Sequence, residues 1–146
     1  MPKDISRKAV NRIIDANINR VKEGLRVCEE ITRFLLNNRA LTAAFKKVRH
    51  DIDLVIPGLP GAKDLWKTRD CSRDVGRSIS AGELKRDNVN DIFFANIQRA
   101  KESARVLEEF SKLAGRQPAL EFKKIRYRLY GIERKAAKII LNTDCG

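Results

Sequence analysis

The chain has one histidine, His50, three cysteines and few aromatic residues. A single histidine removes most histidine-based catalytic and metal-binding arrangements. Cys28, Cys71 and Cys145 are odd in number and lack CxxC spacing, so the sequence indicates neither a disulfide framework nor a structural zinc site. The sequence also contains no GxxxxGK[ST] and no GxGxxG motif, which excludes a P-loop and a Rossmann phosphate-binding turn.

Long apolar runs are also missing. No uncharged stretch is long enough to span a bilayer, and the N-terminal sequence MPKDISRKAV lacks the apolar centre of a signal peptide. We therefore expect a cytoplasmic protein without a membrane partner. With 146 residues and 42% hydrophobic content, residues 1–146 are expected to form one domain.

Positive charge is what the sequence has in excess. The 31 Lys and Arg residues against 19 Asp and Glu give a formal net charge of +12. This charge favours an anionic partner, namely nucleic acid, an acidic lipid surface or a phosphorylated metabolite. Composition alone does not choose among the three.

Apolar residues recur at intervals of three and four along most of the chain, which is the period of an amphipathic helix. The pattern predicts helices at about 6–38, 41–55, 88–114 and 119–141, and it gives strands almost no support. The first apolar stripe comprises Ile14, Ile18, Val21, Leu25, Cys28 and Leu35. The connection at about 57–87 is rich in glycine and has little periodicity, which is typical of a functional or disordered segment.

The sequence repeats itself. NINRVKEGLRVCEEITRF at 17–34 recurs as NIQRAKESARVLEEFSKL at 96–113, and FKKVR at 45–49 recurs as FKKIR at 122–126. This order predicts a duplicated helical hairpin, with halves at about 6–56 and 88–141, folded as an all-α, pseudo-symmetric four-helix bundle. A pseudo-two-fold axis would pair Asn17 with Asn96 and Arg49 with Arg126.

Polar residues are kept in both copies near the border of the apolar face. Burying an arginine there is costly unless an anion or a carboxylate meets it. We therefore expect Arg20 and Arg99 to approach each other around one anion, with Asn17 and Asn96 nearby and Glu23 and Glu102 holding the arginines when the site is empty. The alternative is that the repeat is only bundle architecture. Surface ion pairs are the favoured interpretation of the series Glu23, Arg26, Glu30 and of its counterpart Glu102, Arg105, Glu109.

The stretch TRDCSRDVGR at 68–77 mixes arginines with aspartates beside Gly76. Arginines can fork onto phosphate oxygens while carboxylates hold Mg²⁺, which is the division of labour in phosphoryl transfer. The alternative is a solvated loop whose charges satisfy each other. Cys71 is a weak candidate nucleophile, and Trp66 next to the loop either stacks on a ligand or plugs the bundle. Cys28 is expected in the core and His50 half-buried on a helix.

Five segments together resemble the small helical hydroxymethylpyrimidine phosphate kinase family, whose members occur alone or as the N-terminal domain of bifunctional thiamine phosphate synthases. They are IIDANINRVKEGLRVCEEITRF (13–34), KKVRHDI (46–52), TRDCSRDVG (68–76), FFANIQRAKESARVLEEFSKL (93–113) and IRYRLYGIE (125–133). The resemblance covers nearly the whole chain in order. The family's motif residues fall on Asp15, Asn17, Arg20, Glu23, Arg26, Arg49, Arg69, Asp70, Asp74, Gly76, Asn96, Arg99, Glu102, Arg105, Glu109 and Tyr127.

The resemblance implies ATP-dependent conversion of 4-amino-5-hydroxymethyl-2-methylpyrimidine phosphate to its diphosphate in thiamine biosynthesis. It implies a phosphotransferase that is not by itself a thiamine phosphate synthase, since a helical chain of this length leaves no room for an (α/β)8 barrel. The cofactors would be ATP and Mg²⁺. From the residues of the loop itself, we expect Asp70 and Asp74 to hold the metal and Arg69 or Arg73 to contact a phosphate. Substrate binding would fall to Asn17, Arg20, Glu23, Arg26, Arg49, Asn96, Arg99, Glu102 and Arg105.

The expected partners are the phosphorylated pyrimidine, a nucleotide and a separate thiamine phosphate synthase, with a homo-oligomer left open. The rival interpretation is a non-catalytic basic helical module that binds nucleic acid or a phosphorylated thiamine precursor. Nucleic acid is disfavoured, because many basic residues alternate with acidic ones and the aromatic content is only 6%.

Overall fold

The computed structural model describes residues 6–78 and 81–143, and all regular structure in these residues is helical. This confirms the predicted all-α class, and the described residues contain no strand. A short helix, α3, lies between the two hairpins at Ala81–Leu84. The four long helices are α1 (Arg7–Glu30), α2 (Arg39–Val55), α4 (Val89–Ser111) and α5 (Arg116–Thr143).

Three of the long helices begin at a polar side chain that caps free backbone N–H groups. Ser6 Oγ accepts a hydrogen bond from Ala9 N at 3.2 Å, and Asn38 Oδ1 accepts one from Leu41 N at 2.9 Å. Asn88 Oδ1 does the same at the start of α4. Each such cap is worth about 1 kcal/mol and fixes where the helix starts.

The four long helices form a closed ring in which each one packs against two neighbours. α1 contacts α4 and α2, and α5 contacts α4 and α2. Phe45, Phe93 and Phe122 are fully buried at the centre, and the rings of Phe45 and Phe93 meet edge to face with centroids 6.1 Å apart. Burying each of these large side chains contributes about 1.5–3 kcal/mol, so the repeated apolar stripes account for the bundle.

The helices α1 and α4, which carry the repeated sequence, cross at close range. A Cβ atom on Gly24 would lie 2.8 Å from the backbone oxygen of Asn96 and 3.5 Å from Ala100 Cβ. The small residues at this crossing allow the two backbones to approach. The polar residues of both copies therefore come near one another.

The first predicted helix ends earlier than expected. The chain leaves α1 through a π-helical turn at Ile31–Leu35, and Asn37 then adopts a left-handed conformation with φ 50°. Arg49 follows Asn17 by 32 residues, whereas Arg126 follows Asn96 by 30, so the first copy holds two extra residues. Because the π turn shifts the helical register, Leu35 is exposed and Ile31 takes its place in the core.

The connection between the halves is more ordered than the sequence indicates. Two 3₁₀ segments, Ile56–Gly58 and Ala62–Thr68, precede the loop, and Leu59 and Leu65 anchor them in the core. Gly61 has φ 71°, a left-handed conformation that favours glycine. The division into halves at 6–56 and 88–141 stays a prediction. No helix in the described ranges is both long and apolar enough to cross a bilayer.

Candidate functional site

A groove of about 850 Å³ runs along α1, and the loop 69–75 forms its other main wall. Three other cavities in the described residues are smaller, at about 260, 280 and 390 Å³. Arg99 and Val106 of α4 complete it, so both copies of the repeat contribute to one space. Nine of the predicted site residues line the groove: Asn17, Arg20, Glu23, Arg69, Asp70, Cys71, Arg73, Asp74 and Arg99.

Arg20 of α1 and Arg99 of α4 are repeat counterparts, and both line this groove. Both side chains are exposed, so the cost of burying an arginine, which motivated the expected anion, does not arise here. Neither makes an ion pair with any carboxylate of residues 6–78 and 81–143, and Glu102 instead accepts a hydrogen bond from Gln98 at 2.9 Å. The carboxylates of Glu23 and Glu102 thus do not hold the arginines, whose guanidinium groups are available to an anion.

Two arginine contacts hold the loop against α1. Arg69 donates from Nε to Asp15 Oδ2 at 2.9 Å and from Nη2 to Asp15 Oδ1 at 3.0 Å. Arg12 Nη2 donates to the backbone oxygen of Asp70 at 2.9 Å. The hydrogen bonds that Arg69 donates to Asp15, together with the charge of that carboxylate, raise the pKa of Arg69. The fork of Arg69 is therefore engaged with a carboxylate, which corrects its expected direct contact with phosphate.

The two loop aspartates each accept a hydrogen bond from a neighbour in the loop. Asp70 Oδ1 accepts from Ser72 Oγ at 2.8 Å and from Arg73 N at 3.2 Å, and Asp74 Oδ1 accepts from Gly76 N at 2.9 Å. The bond from Ser72 is the main cause that lowers the pKa of Asp70. Asp70 is therefore an ionised carboxylate at neutral pH, with Oδ2 near Arg73 Nε at 3.5 Å.

Two carboxylates of the loop line the groove and are the groups available to a magnesium ion that arrives with a phosphate ligand. The described residues contain no group of three or more His, Cys, Asp or Glu side chains arranged to hold a metal. Mg²⁺ is commonly bound by one or two carboxylates together with phosphate oxygens, and Asp70 and Asp74 supply two carboxylates in the groove. These are the residues that would hold the ion.

Five of the predicted binding residues do not line the groove: Arg26, Arg49, Asn96, Glu102 and Arg105. Arg49 donates to the buried carboxylate of Glu29 from Nε at 2.8 Å and from Nη2 at 3.1 Å. In the second copy Arg126 Nε donates to Glu108 Oε2 at 2.9 Å. This equivalence follows the predicted pairing of Arg49 with Arg126.

Arg26 and Arg105 complete the two ion-pair clusters. Arg26 Nη1 lies 3.1 Å from Glu29 Oε2, and Arg105 Nη1 lies 3.2 Å from Glu108 Oε2. Each arginine also pairs with the second glutamate of its copy, Glu30 or Glu109. The surface-pair interpretation thus holds for these arginines, and the structure gives them an architectural role in place of the predicted substrate contact.

Three sequence-based expectations about single side chains have clear outcomes. Cys28 is fully buried in the core as predicted, and burial raises the pKa of its thiol to about 12. His50 is exposed rather than half-buried, and Trp66 is exposed and neither plugs the bundle nor lines the groove. Cys71 is exposed in the groove, whereas Cys145 lies outside the described residues.

Sequence reasoning missed Arg12, Asn19, Glu29 and Glu108. Arg12 and Asn19 line the groove, and both lie on the α1 face that carries Ala16 and Glu23. A helical projection of all residues around Asn17 and Arg20, including those that do not recur in the second copy, would have included Arg12 and Asn19. The burial of Glu29 and Glu108 was not predicted, because a glutamate in a charged helix usually lies on the surface.

Comparison with known proteins matches residues 12–135 to the ThiD2 family. A protein named thiamine-phosphate synthase from Synechocystis sp. (strain ATCC 27184 / PCC 6803 / Kazusa) is 42% identical over 86% of this chain and 35% of its own length. Proteins with the same name from Rhodopirellula baltica and Nostoc punctiforme are each 36% identical, over 88% and 90% of this chain and 34% and 36% of their own lengths. The chain thus spans about a third of the length of the curated relatives it matches. No solved structure matches the chain significantly.

These relatives correct one expectation. The interpretation of the chain as a phosphotransferase that is not a thiamine phosphate synthase is contradicted, because relatives 35–42% identical over most of the chain carry the name thiamine-phosphate synthase. This chain is too short for a barrel, but its length does not distinguish it from these relatives, because the chain matches only about a third of their length. From the profile match across 12–135, the chain belongs to the ThiD2 family.

Proposed function

We propose that the groove binds a phosphorylated hydroxymethylpyrimidine and that the chain acts in thiamine biosynthesis. The single observation that carries this proposal is that Arg20 and Arg99, one from each copy, line the same groove without a carboxylate partner in the described chain. Two unpaired guanidinium groups beside one cavity repel each other unless an anion lies between them. A phosphate supplies that anion with the geometry of a forked hydrogen bond. The family and the names of the relatives support thiamine biosynthesis as the context.

The chemistry that this groove supports best is ATP-dependent conversion of hydroxymethylpyrimidine phosphate to the diphosphate. The acceptor in that reaction is already an anionic phosphate oxygen, so no strong base is needed, and the groove contains no histidine. The task is to hold two polyanions in line and to screen their repulsion. Arg12, Arg20, Arg73 and Arg99 supply positive charge for that purpose, and MgATP when bound would supply the transferred phosphoryl group.

This proposal places the chain within thiamine-phosphate formation and not apart from the synthase. Relatives of about three times its length carry the synthase name, and this chain corresponds to a third of each. A helical part that makes the diphosphate would supply the activated pyrimidine for coupling. Asp15 and Arg12 hold the charged loop against α1, which places the loop's charged side chains in the same groove as Arg20.

The test is to incubate the protein with hydroxymethylpyrimidine phosphate and MgATP and to follow the diphosphate by mass spectrometry. We expect diphosphate to form. Asp70→Ala should depress turnover strongly while it lowers the free energy of unfolding by about 1 kcal/mol or less, because the hydrogen bonds that its carboxylate accepts come from Ser72 and Arg73 of the same exposed loop. Asp64→Ala, at another exposed acid that pairs only with Lys67, is the control and should keep full turnover. No diphosphate from the wild-type protein would contradict the kinase chemistry.

A second candidate is a module that binds the phosphorylated precursor without catalysis. The observation in its favour is that Asp70 and Asp74 both accept hydrogen bonds inside the loop, so their carboxylates are partly engaged. In this case hydroxymethylpyrimidine phosphate binds, MgATP is not consumed, and Asp70→Ala binds the phosphate as tightly as the wild-type protein.

A further inference from the structure

The groove presents hydrogen-bond acceptors as well as arginines. Asn17 lies on α1 one turn before Arg20, and its side chain is oriented by its own helix. Asn17 Nδ2 donates to the backbone oxygen of Ile13 at 2.9 Å. Since a carbonyl can only accept, the NH₂ end of the amide must face Ile13 and the oxygen must point the other way.

Asn17 is almost fully buried, with 4% of its surface exposed, and it lines the groove. In residues 6–78 and 81–143, Ser111 Oγ is the only fully buried side-chain polar atom without a hydrogen-bond partner. Asn17 Oδ1 has no partner in the same part of the chain, and it is not sealed in this way, so it retains accessible surface. The accessible space beside Asn17 is the groove. Asn19 repeats the arrangement, because its Nδ2 donates to the backbone oxygen of Asp15 at 3.1 Å.

We propose that Asn17 Oδ1 accepts a hydrogen bond from an amino group on the ligand's ring, so that the groove selects an amino-bearing ring over the same ring with an oxo group. This inference rests on the proposed function, in which the arginines hold the phosphate of the same ligand. An oxo group at the same ring position would bring two acceptors face to face and remove the donor that Asn17 Oδ1 meets at that position. Sites built around such a polar group reject an analogue that cannot pair with it.

The repeat provides a matched control. Asn96 Nδ2 donates to the backbone oxygen of Ile92 at 2.8 Å, which is the same intrahelical bond that Asn17 makes. Asn96 does not line the groove. Replacing either asparagine by alanine removes the same helix contact, so a difference in ligand selectivity between the two variants reports the groove oxygen alone.

The experiment measures the affinity of the full chain for 4-amino-5-hydroxymethyl-2-methylpyrimidine phosphate and for its 4-oxo counterpart by calorimetry, without ATP. The two ligands carry the same phosphate, so their ratio isolates the ring contact. We expect the wild-type protein to prefer the amino ligand by about 3- to 10-fold, the range of one neutral hydrogen bond. Asn17→Ala should reduce this preference to near one, and Asn96→Ala should keep it.

Equal binding of the two ligands by the wild-type protein, or an unchanged preference in Asn17→Ala, would overturn the inference while the proposed function stands. If neither ligand binds the wild-type protein, the proposed function fails as well. Should Asn17→Ala not fold, Asn17→Ser must show the same loss of preference, because a serine hydroxyl that donates to Ile13 O is too short to present an acceptor to the ring.

Discussion

Replacing Glu29 by glutamine should destabilise the bundle far more than the same change at its neighbour Glu30. The Glu29 carboxylate is buried and receives three arginine N–H contacts, two from Arg49 at 2.8 and 3.1 Å and one from Arg26 at 3.1 Å. Glutamine keeps the shape but removes the charge, and its NH₂ group then faces guanidinium donors. The Arg49 side chain, which is 21% exposed, is left without its counter-ion.

The size of the effect follows from this burial. Removing one partner of a buried ion pair costs about 3–5 kcal/mol, and the partial exposure of Arg49 places Glu29→Gln near about 3 kcal/mol. For a chain of this length about 1 kcal/mol lowers the melting temperature by about 2–4 °C, so we expect a loss of about 6–12 °C. The Glu30 side chain is 42% exposed and pairs with Arg26 four residues earlier, so Glu30→Gln should cost about 0.3–0.5 kcal/mol.

Urea unfolding and calorimetry of both variants measure the difference. Glu108→Gln in the second copy should also lose more stability than Glu30→Gln, because Glu108 is buried and its Oε2 contacts both Arg105 and Arg126. Equal stability losses for Glu29→Gln and Glu30→Gln would refute the view that the inner glutamate of each copy holds the hairpin together.

Two further predictions concern the helix crossing and the cysteines. Gly24→Ala places a Cβ 2.8 Å from the Asn96 backbone oxygen and should lower the free energy of unfolding in urea by about 1–3 kcal/mol. The control Gly131→Ala meets nothing within 4 Å and should stabilise α5 by about 0.5–1 kcal/mol. An unchanged stability in Gly24→Ala would contradict the close crossing. Because burial raises the pKa of Cys28 from 9.0 to about 12, the neutral thiol is favoured in the folded state, so stability should fall as pH rises from about 9 to about 12. A Cys28→Ala variant should lose that part of the slope, and a thiol reagent at pH 8 should modify exposed Cys71 while it spares Cys28.

Much of the fold could be predicted because the two copies of the repeat show the same pattern of apolar residues. The apolar stripes of the two copies align, and Phe45 and Phe122 occupy equivalent positions in the core. The departures come from places where the copies differ. The first copy holds two extra residues in the segment that contains the π turn at Ile31–Leu35, and no periodicity in a single sequence distinguishes such a turn from a continued helix.

The site was predictable in composition but less so in its pairings. The sequence indicates that the loop combines arginines with carboxylates, yet it does not say where the loop packs or which charges neutralise each other. Arg69 is held by Asp15 and Arg49 by Glu29, across 54 and 20 residues of chain. Such pairs depend on how elements pack, so the repeat could single out Arg20 and Arg99, but it could not show that Arg49 and Arg69 are paired with carboxylates.

The most direct test of the central claim, that both copies line one phosphate site, is the affinity of Arg20→Lys and Arg99→Lys for hydroxymethylpyrimidine phosphate. Lysine keeps the charge but loses the fork, so at least one variant should bind about 10- to 100-fold more weakly at an unchanged melting temperature. Arg26→Lys, whose side chain pairs with Glu29 and Glu30 outside the groove, is the control and should bind as the wild-type protein does. Wild-type affinity in both groove variants would contradict the claim and leave the repeat as bundle architecture alone.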